Sequence, residues 1–201
     1  MSAIALTPLR EPMPPLPVRR FTVDEYHEIV ESGILDRGAP CELIHGWIIP
    51  KMGINPPHAY AVNSLMDLLV TIIGSSGVVR IQQPITTNDS EPEPDVVVAS
   101  GSKRDYRRRH PAPADVHLAI EVSDTTLHEE RTTKLELYAK AGIECYWIVN
   151  IPDSQIEVHT LPRSGKTSTY RRRVVYKAGD SIPVFVNGKS KGSAAVDEIL
   201  P

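Results

Sequence analysis

Two acidic residues at the ends of apolar runs, followed by a lysine, are the strongest chemical signal in this sequence. Asp95 opens the run "DVVVA" after a proline-stiffened approach, and Glu121 lies near the end of "VHLAIEV". Lys134 follows in a segment with helical periodicity. Two carboxylates on neighbouring strands can bind a hard divalent cation through oxygen, and a nearby lysine can stabilise an anionic reaction centre. The three residues together predict a site for metal-dependent phosphodiester hydrolysis.

Each of these residues also has a simpler explanation when it is taken alone. Asp95 follows a proline, and Pro-Asp pairs are common in turns. Glu121 could face outward at a strand edge, although a carboxylate buried in an apolar run is costly unless it is paired or bound to a metal. Lys134 could pair with Glu130, four residues earlier on a helix surface. These alternatives stay open at the level of sequence.

Capping patterns and hydrophobic periodicity predict the elements that carry these residues. The [ST]-x-x-E pattern of a capping box occurs at Thr22 and again at Thr126. A long helix between two apolar strands implies a parallel or mixed sheet with helices packed on it, an α/β or mixed α+β fold. In chain order, the sequence predicts a helix to residue 30, a hairpin over 41–51 turning at Gly46, a helix over 58–73 capped by Asn55, strands over 78–87, 95–99 and 116–122, a helix over 127–141, and strands over 144–150, 155–161 and 170–176.

The composition predicts a soluble globular protein with local basic patches. Residues 1–20 are rich in proline and predict a flexible tail, and residues 21–201 are predicted to form a single domain. The formal net charge of −3 provides no global basic field, so nucleic acid would have to contact local clusters of arginine. Solvated loop and strand-edge charge is the alternative explanation for these clusters. The candidate contacts are Arg107, Arg108, Arg109, Arg171, Arg172 and Arg173.

Cysteine usage and hydropathy favour a cytoplasmic protein without a membrane partner. Cys41 and Cys145 lack the spacing of a zinc knuckle or a redox pair, which predicts two free thiols. No signal peptide is evident at the N-terminus. The most apolar stretch, residues 61–73, is too short to span a bilayer and contains Asn63 and Asp67, so it predicts a buried helix.

The region from Gln83 to Asn150 resembles the Uma2 family of the PD-(D/E)XK restriction-endonuclease-like superfamily. The stretch "KLELYAKAGIECYWIVN" carries much of the resemblance, which extends from Phe21 to the C-terminus. It implies a restriction-endonuclease-like core with a central mixed sheet, and a Mg²⁺- or Mn²⁺-dependent endonuclease that acts on DNA. The alternative is a catalytically inactive module that keeps the nuclease fold and binds nucleic acid or protein. A homodimer would suit cleavage of both DNA strands.

The resemblance also assigns roles to individual residues. Asp95 and Glu121 match the two catalytic acids and would be the metal ligands. The simple motif places its lysine two positions after the second acid, but Ser123 occupies that position here. Lys134 matches the lysine that the following helix supplies in Uma2-like proteins. Glu42 matches a further acid that completes such sites.

Three residues are predicted to support this site. Gln83 could form a hydrogen bond to it from a neighbouring strand, and Ser123 lies two positions after the second acid. His58 lies at the start of a helix, where a capping or structural role is the alternative. The stripe that carries Lys134 along the predicted helix contains Leu127, Arg131, Lys134 and Tyr138.

Overall fold

The computed structural model describes residues 18–35 and 40–201 in two compact units. The smaller unit contains the described residues up to Gly53 together with Asn88–Pro92, and the larger contains Ile54–Thr87 and Glu93–Pro201. Most of the predicted tail and the predicted loop at Gly38 lie outside the described residues. The prediction of one domain over residues 21–201 stays a prediction.

The smaller unit consists of helix α1 (Val23–Glu31) and the hairpin of β1 (Cys41–Ile44) and β2 (Trp47–Pro50). The capping box at the start of α1 is confirmed, because the Thr22 hydroxyl accepts from the Glu25 amide at 3.2 Å and the Glu25 carboxylate accepts from the Thr22 amide at 3.0 Å. The predicted hairpin turn is also confirmed, with positive φ at His45 and Gly46.

Helix α2 (Pro56–Ile73) opens the larger unit and confirms the helix predicted after Asn55. The Asn55 side chain accepts from the His58 amide at 3.1 Å, and Gly74 ends the helix. By length and composition alone, the segment Pro56–Ser76 could cross a membrane, so the prediction that this stretch is too short is wrong. The predicted buried helix is buried on one side only, through Ala61, Val62, Leu65, Leu69 and Ile73, and 28% of the apolar window is buried.

A six-stranded mixed sheet forms the centre of the larger unit and confirms the predicted fold class. The strand order is β3-β4-β5-β6-β7-β8, in which β5 and β6 are parallel and every other neighbouring pair is antiparallel. The predicted strand over residues 78–87 ends early, since Gln82 has φ of 48°. The strands are β3 (Val78–Ile81), β4 (Val96–Ala99), β5 (Val116–Ser123), β6 (Cys145–Asn150), β7 (Gln155–Arg163) and β8 (Thr169–Lys177).

One face of this sheet packs against α2 and a C-terminal hairpin of β9 (Ser181–Val186) and β10 (Lys189–Ala195). The predicted elements do not include this hairpin. Its turn is Asn187-Gly188, with φ of 53° and 70°, the dipeptide that most favours a two-residue hairpin loop. Buried residues alternate with exposed ones through β9. This alternation next to an Asn-Gly dipeptide is the sequence signal that could have predicted the hairpin.

The opposite face carries the chain between β5 and β6, where the predicted helix over residues 127–141 is interrupted. It consists of α3 (Leu127–Glu129), a π-helical segment (Glu130–Lys134) and α4 (Leu135–Ala141). The capping box predicted at Thr126 is wrong, because the Thr126 side chain makes no capping hydrogen bond. The predicted stop at Gly142 is confirmed by its left-handed φ of 80°.

Candidate functional site

Asp95 and Glu121 meet where β4 begins and β5 approaches its end. Asp95 immediately precedes β4, whose Val96 pairs with Ile120 of β5. The Asp95 amide therefore lies 3.4 Å from Glu121 Oε2 and donates to it. Both side chains are buried, with relative exposures of 9% and 5%. The structure thus places two carboxylates on adjacent strands with little solvent around them.

The Asp95 carboxylate is contacted from β5, from α2 and from the residue that follows β3. Asp95 Oδ2 accepts from the Val122 amide at 2.8 Å and lies 3.1 Å from His58 Nε2. Asp95 Oδ1 accepts from Gln82 Nε2 at 3.4 Å. Gln82, rather than the predicted Gln83, therefore forms this hydrogen bond, and Gln83 is exposed. The left-handed backbone at Gln82 ends β3, so Gln83 lies beyond the strand from which the hydrogen bond was predicted.

The second carboxylate, Glu121, is bound from the interrupted helix. Glu121 Oε1 accepts from the Tyr138 hydroxyl at 2.6 Å and lies 3.4 Å from Lys134 Nζ. The Lys134 side chain is only 5% exposed. Lys134 is therefore a buried cation that contacts Glu121. The alternative of a surface ion pair between Lys134 and Glu130 does not hold, because Lys134 is not at the surface.

Glu130 adds a third buried carboxyl group beside this pair, and sequence reasoning did not include it in the site. Burial, together with the negative charge of Glu121, raises the pKa of Glu130 well above its usual range. Its carboxyl group accepts from the Tyr146 hydroxyl at 3.2 Å. A neutral Glu130 is a hydrogen-bonding group rather than a third anion, which reduces the repulsion among neighbouring carboxylates.

His58 lies at the start of α2 and contacts the candidate site, so it has both the structural role and the supporting role that the sequence left as alternatives. Its amide donates to the capping Asn55 side chain, and its ring contacts Asp95. The hydrogen bond to Asp95 raises the pKa of His58, although burial acts in the opposite direction. Because a protonated ring places positive charge against Asp95, it would stabilise the ionised carboxylate.

Two further predicted residues, Ser123 and Glu42, lie in different units of the structure. Ser123 is fully buried at the end of β5, and its hydroxyl has no hydrogen-bond partner among the described residues. Glu42 lies on β1 of the smaller unit. Its predicted role stays a prediction.

The candidate nucleic-acid contacts are all exposed, but two of them already bind acidic side chains. Arg109 donates to Asp115 at 2.5 Å, and Arg173 donates to Glu157 at 2.9 Å. Within residues 18–35 and 40–201, Arg108, Arg171 and Arg172 have no hydrogen-bond or ion-pair partner. Among the six candidates, these three and Arg107, which donates to the Arg104 carbonyl, therefore have charge that no acidic side chain neutralises.

A cavity of about 520 Å³ lies apart from the acidic cluster. Trp147 of β6 and Phe185 of β9 are part of its lining, and Arg171 lies at it as well. Neither Asp95 nor Glu121 contributes to the walls of this cavity. The cavity therefore does not identify the chemistry of the carboxylate pair.

The donor set at the carboxylate pair fits a hard cation held by few protein ligands. Mg²⁺ keeps several waters and typically binds one or two carboxylates together with substrate phosphate. Asp95 and Glu121 supply two such carboxylates. Across the described part of the chain, no group of three or more His, Cys, Asp or Glu side chains could hold a metal. With two protein ligands, such an ion would need water or substrate phosphate to complete its coordination.

Comparison with known structures identifies the fold class. The chain resembles a crystal structure, at 1.96 Å resolution, described as "a putative nuclease belonging to DUF820" from Anabaena variabilis ATCC 29413. That structure matches with a TM-score of 0.63 and 14% sequence identity, over 91% of this chain and 97% of that chain. The fold is therefore that of a nuclease-like protein.

Comparison with sequence families identifies the particular group within that class. The model of the Uma2 family, described as "Putative restriction endonuclease", matches residues 23–188, which is well over half of the chain. The chain belongs to the Uma2 family. No curated protein matches the sequence. The resemblance from the sequence is confirmed, and together the two comparisons support a nuclease-like function.

Proposed function

We propose that this protein is a Mg²⁺- or Mn²⁺-dependent endonuclease that hydrolyses phosphodiester bonds in DNA. The observation that supports this most directly is that the buried Glu121 carboxylate contacts both the backbone amide of Asp95 and the Nζ of Lys134. Cleavage of a phosphodiester requires an activated water and stabilisation of the charge that develops on phosphate. A bound divalent ion would supply Lewis acidity and a more acidic water.

The residues of the chain would divide this work between binding and orientation. Asp95 and Glu121 would hold the ion. His58 and Gln82 would fix the orientation of Asp95, because both contact its carboxylate. Tyr138 would fix Glu121 in the same way. Such support keeps ligands in the geometry that a metal requires.

Lys134 would place a positive charge next to the reacting phosphate. Its Nζ lies beside Glu121 Oε1, so it can stabilise the anion near the metal without moving far. A preorganised cation in a water-poor site stabilises developing charge more strongly than the same cation in water. Loss of one such group in other enzymes lowers the rate by roughly 10²–10³-fold.

The test is cleavage of supercoiled and linear DNA, with an RNA of matched sequence, in the presence of Mg²⁺, Mn²⁺ or EDTA. Asp95→Asn, Glu121→Gln and Lys134→Met should each abolish or strongly reduce metal-dependent cleavage of DNA. The exposed Asp67→Asn and Lys140→Met serve as matched controls and should cleave as wild type does. Equal cleavage by wild type and Asp95→Asn would disprove the assignment, and cleavage of RNA alone would disprove the choice of DNA.

A catalytically inactive binding module with the same fold is the second candidate. It is favoured by the hydrogen bonds that already engage both carboxylates within the protein, from the Val122 amide to Asp95 and from the Tyr138 hydroxyl to Glu121. Isothermal titration with Mg²⁺ and Mn²⁺ separates the two candidates. Metal binding that Asp95→Asn and Glu121→Gln abolish supports the enzyme, whereas DNA binding without any metal binding supports the module.

The exposed arginines would bind DNA phosphates in either case. Arg108, Arg171 and Arg172 are the best candidates, because they have no protein partner among the described residues. Removal of one arginine–phosphate ion pair should reduce the slope of log binding constant against log salt by about 0.9. Arg108→Gln and Arg172→Gln should therefore weaken DNA binding at low salt, whereas an unchanged slope would exclude them.

A further inference from the structure

Glu121 and Glu157 occupy the same row of the central sheet. Glu121 of β5 pairs with Ile148 of β6, and Ile148 pairs with Glu157 of β7. Side chains of directly paired residues project from the same face of a sheet, and neighbouring strands lie about 4.8 Å apart. The two glutamates are therefore on one face, two strands apart, and Tyr138 of the interrupted helix contacts Glu121 on that face.

Glu157 is a buried anion held by two arginines. Its side chain has no exposed surface, and its Oε1 accepts from Arg131 Nε at 3.0 Å and from Arg131 Nη2. Its Oε2 accepts from Arg173 Nε at 2.9 Å. Burial alone would raise the pKa of Glu157, but the hydrogen bonds from the two arginines lower it to about 2. Glu157 is thus ionised at neutral pH, and its charge lies on the same face of the sheet as Glu121.

The π-helical segment Glu130–Lys134 touches this row of the sheet at two points. Arg131 binds Glu157, and Lys134 binds Glu121. A third contact joins the segment to β6, where the Tyr146 hydroxyl donates to the Glu130 carbonyl at 3.2 Å. The sequence placed Arg131 and Lys134 on one helical stripe. In the structure they contact different strands, Arg131 on β7 and Lys134 on β5.

The π geometry makes the position of Lys134 sensitive to the attachment of Arg131. A π-helical turn holds about one more residue than an α-helical turn, and such turns are rare and occur mostly as single turns inside α-helices. If the segment returned to α-helical geometry, its C-terminal end, where Lys134 lies, would rotate around the helix axis by up to about 100° relative to Arg131. Lys134 would then turn away from Glu121.

We propose that Glu157 is a positioning residue: by binding Arg131, it holds the π-helical segment in the register that directs Lys134 to Glu121. Its role in catalysis rests on the proposed function, but its effect on the position of Lys134 does not. Arg173 binds the same carboxylate from β8, outside the helix, and so stabilises Glu157 without acting on the register.

The accessibility of Lys134 to an amine-acylating reagent tests the proposal without any need for activity. In the wild type, Lys134 is almost completely buried and should be labelled slowly, as quantified by mass spectrometry of the full-length protein after digestion. Arg131→Met should raise the labelling rate by roughly tenfold or more, because local release of the segment exposes the amine. Arg173→Met is the matched control, since it removes one guanidinium from the same carboxylate and should leave the rate within about twofold of wild type.

Two further variants keep the test decisive if Arg131→Met does not fold. Glu157→Gln preserves the shape of the side chain and should also raise the labelling rate, while Arg131→Lys should restore most of the protection. Equal labelling of Lys134 in the Arg131→Met and Arg173→Met proteins would overturn the proposal. Unchanged labelling in Glu157→Gln would overturn it as well.

Kinetics separate this proposal from the proposed function. If the wild type cleaves DNA, Arg131→Met should lower kcat by about tenfold with KM changed less than about twofold, as expected for a misplaced catalytic group. If the wild type cleaves nothing, the proposed function fails, and the labelling result still decides whether Glu157 positions Lys134. A loss of protection without a fall in kcat would overturn the positioning role in catalysis.

Discussion

The buried ion pair between Glu121 and Lys134 allows the candidate site to be tested through stability. Lys134 Nζ and Glu121 Oε1 are 3.4 Å apart, and the two side chains are 5% and 6% exposed. At that distance the attraction is about 5 kcal/mol for an effective dielectric constant of about 20. Removing one partner of a buried pair leaves an uncompensated charge and costs about 3–5 kcal/mol.

We therefore expect Lys134→Met and Glu121→Gln each to lower the free energy of unfolding by about 3 kcal/mol or more. The double variant leaves no isolated charge at this pair, so its loss should be smaller than the sum of the two single losses. The difference, the coupling energy of a double-mutant cycle, should be about 2–4 kcal/mol.

The assay is urea unfolding with EDTA at neutral pH, followed by the fluorescence of Trp147. The chain has two tryptophans, and a Trp47→Phe background leaves the signal to Trp147 in the larger unit. Arg109→Met is the control, because its 2.5 Å ion pair to Asp115 is half exposed and should contribute less than about 1 kcal/mol. A coupling energy below about 0.5 kcal/mol would refute the pairing of the two buried charges.

Three other changes follow from single contacts. Tyr138→Phe removes a 2.6 Å hydrogen bond to a buried carboxylate and should lower the free energy of unfolding by about 1.5–3 kcal/mol in the same urea assay. Because the pKa of Glu157 lies near 2 when folded and at 4.5 in the reference state, its stabilisation is complete above pH 4.5 and is lost as the pH falls towards 2. Glu157→Gln should therefore show a shallower loss of stability over that range, and an unchanged pH profile would contradict this linkage. Thr22→Ala should destabilise α1 by about 1 kcal/mol, whereas Thr126→Ala should cost under about 0.5 kcal/mol, as measured by amide hydrogen exchange of each helix. Equal effects of the two threonine changes would show that the capping geometry is wrong.

The local elements could largely be predicted from sequence because their determinants are neighbours along the chain. The capping box at Thr22, the Asn55 cap and the stop at Gly142 all act within a few residues, and the structure confirms each of them. The same reasoning is wrong at Thr126. There the helix is shaped by contacts of residues 130–134 with β5, β6 and β7, so local preference gives way to tertiary packing.

The residues that form the candidate site could be predicted only in part from the sequence. Asp95 and Glu121 stand out in sequence because each is a carboxylate next to an apolar run, and the antiparallel pairing of β4 with β5 brings them together. Gln82 was not predicted, because its contact depends on the left-handed backbone that ends β3. Glu130 was placed outside the site because a sequence does not show that a helical carboxyl group is buried.

The sequence by itself determined the family, the order of the elements and the acidic pair, because these depend on residue type, spacing and periodicity along the chain. The tertiary structure alone decided how Lys134 reaches Glu121. Lys134 makes that contact from a π-helical segment that also binds Glu157 through Arg131. Glu157 lies twenty-three residues after Lys134 along the chain and two strands away from Glu121. Long-range ion pairs of this kind leave no periodic pattern in sequence, because their partners are brought together only when the sheet has formed.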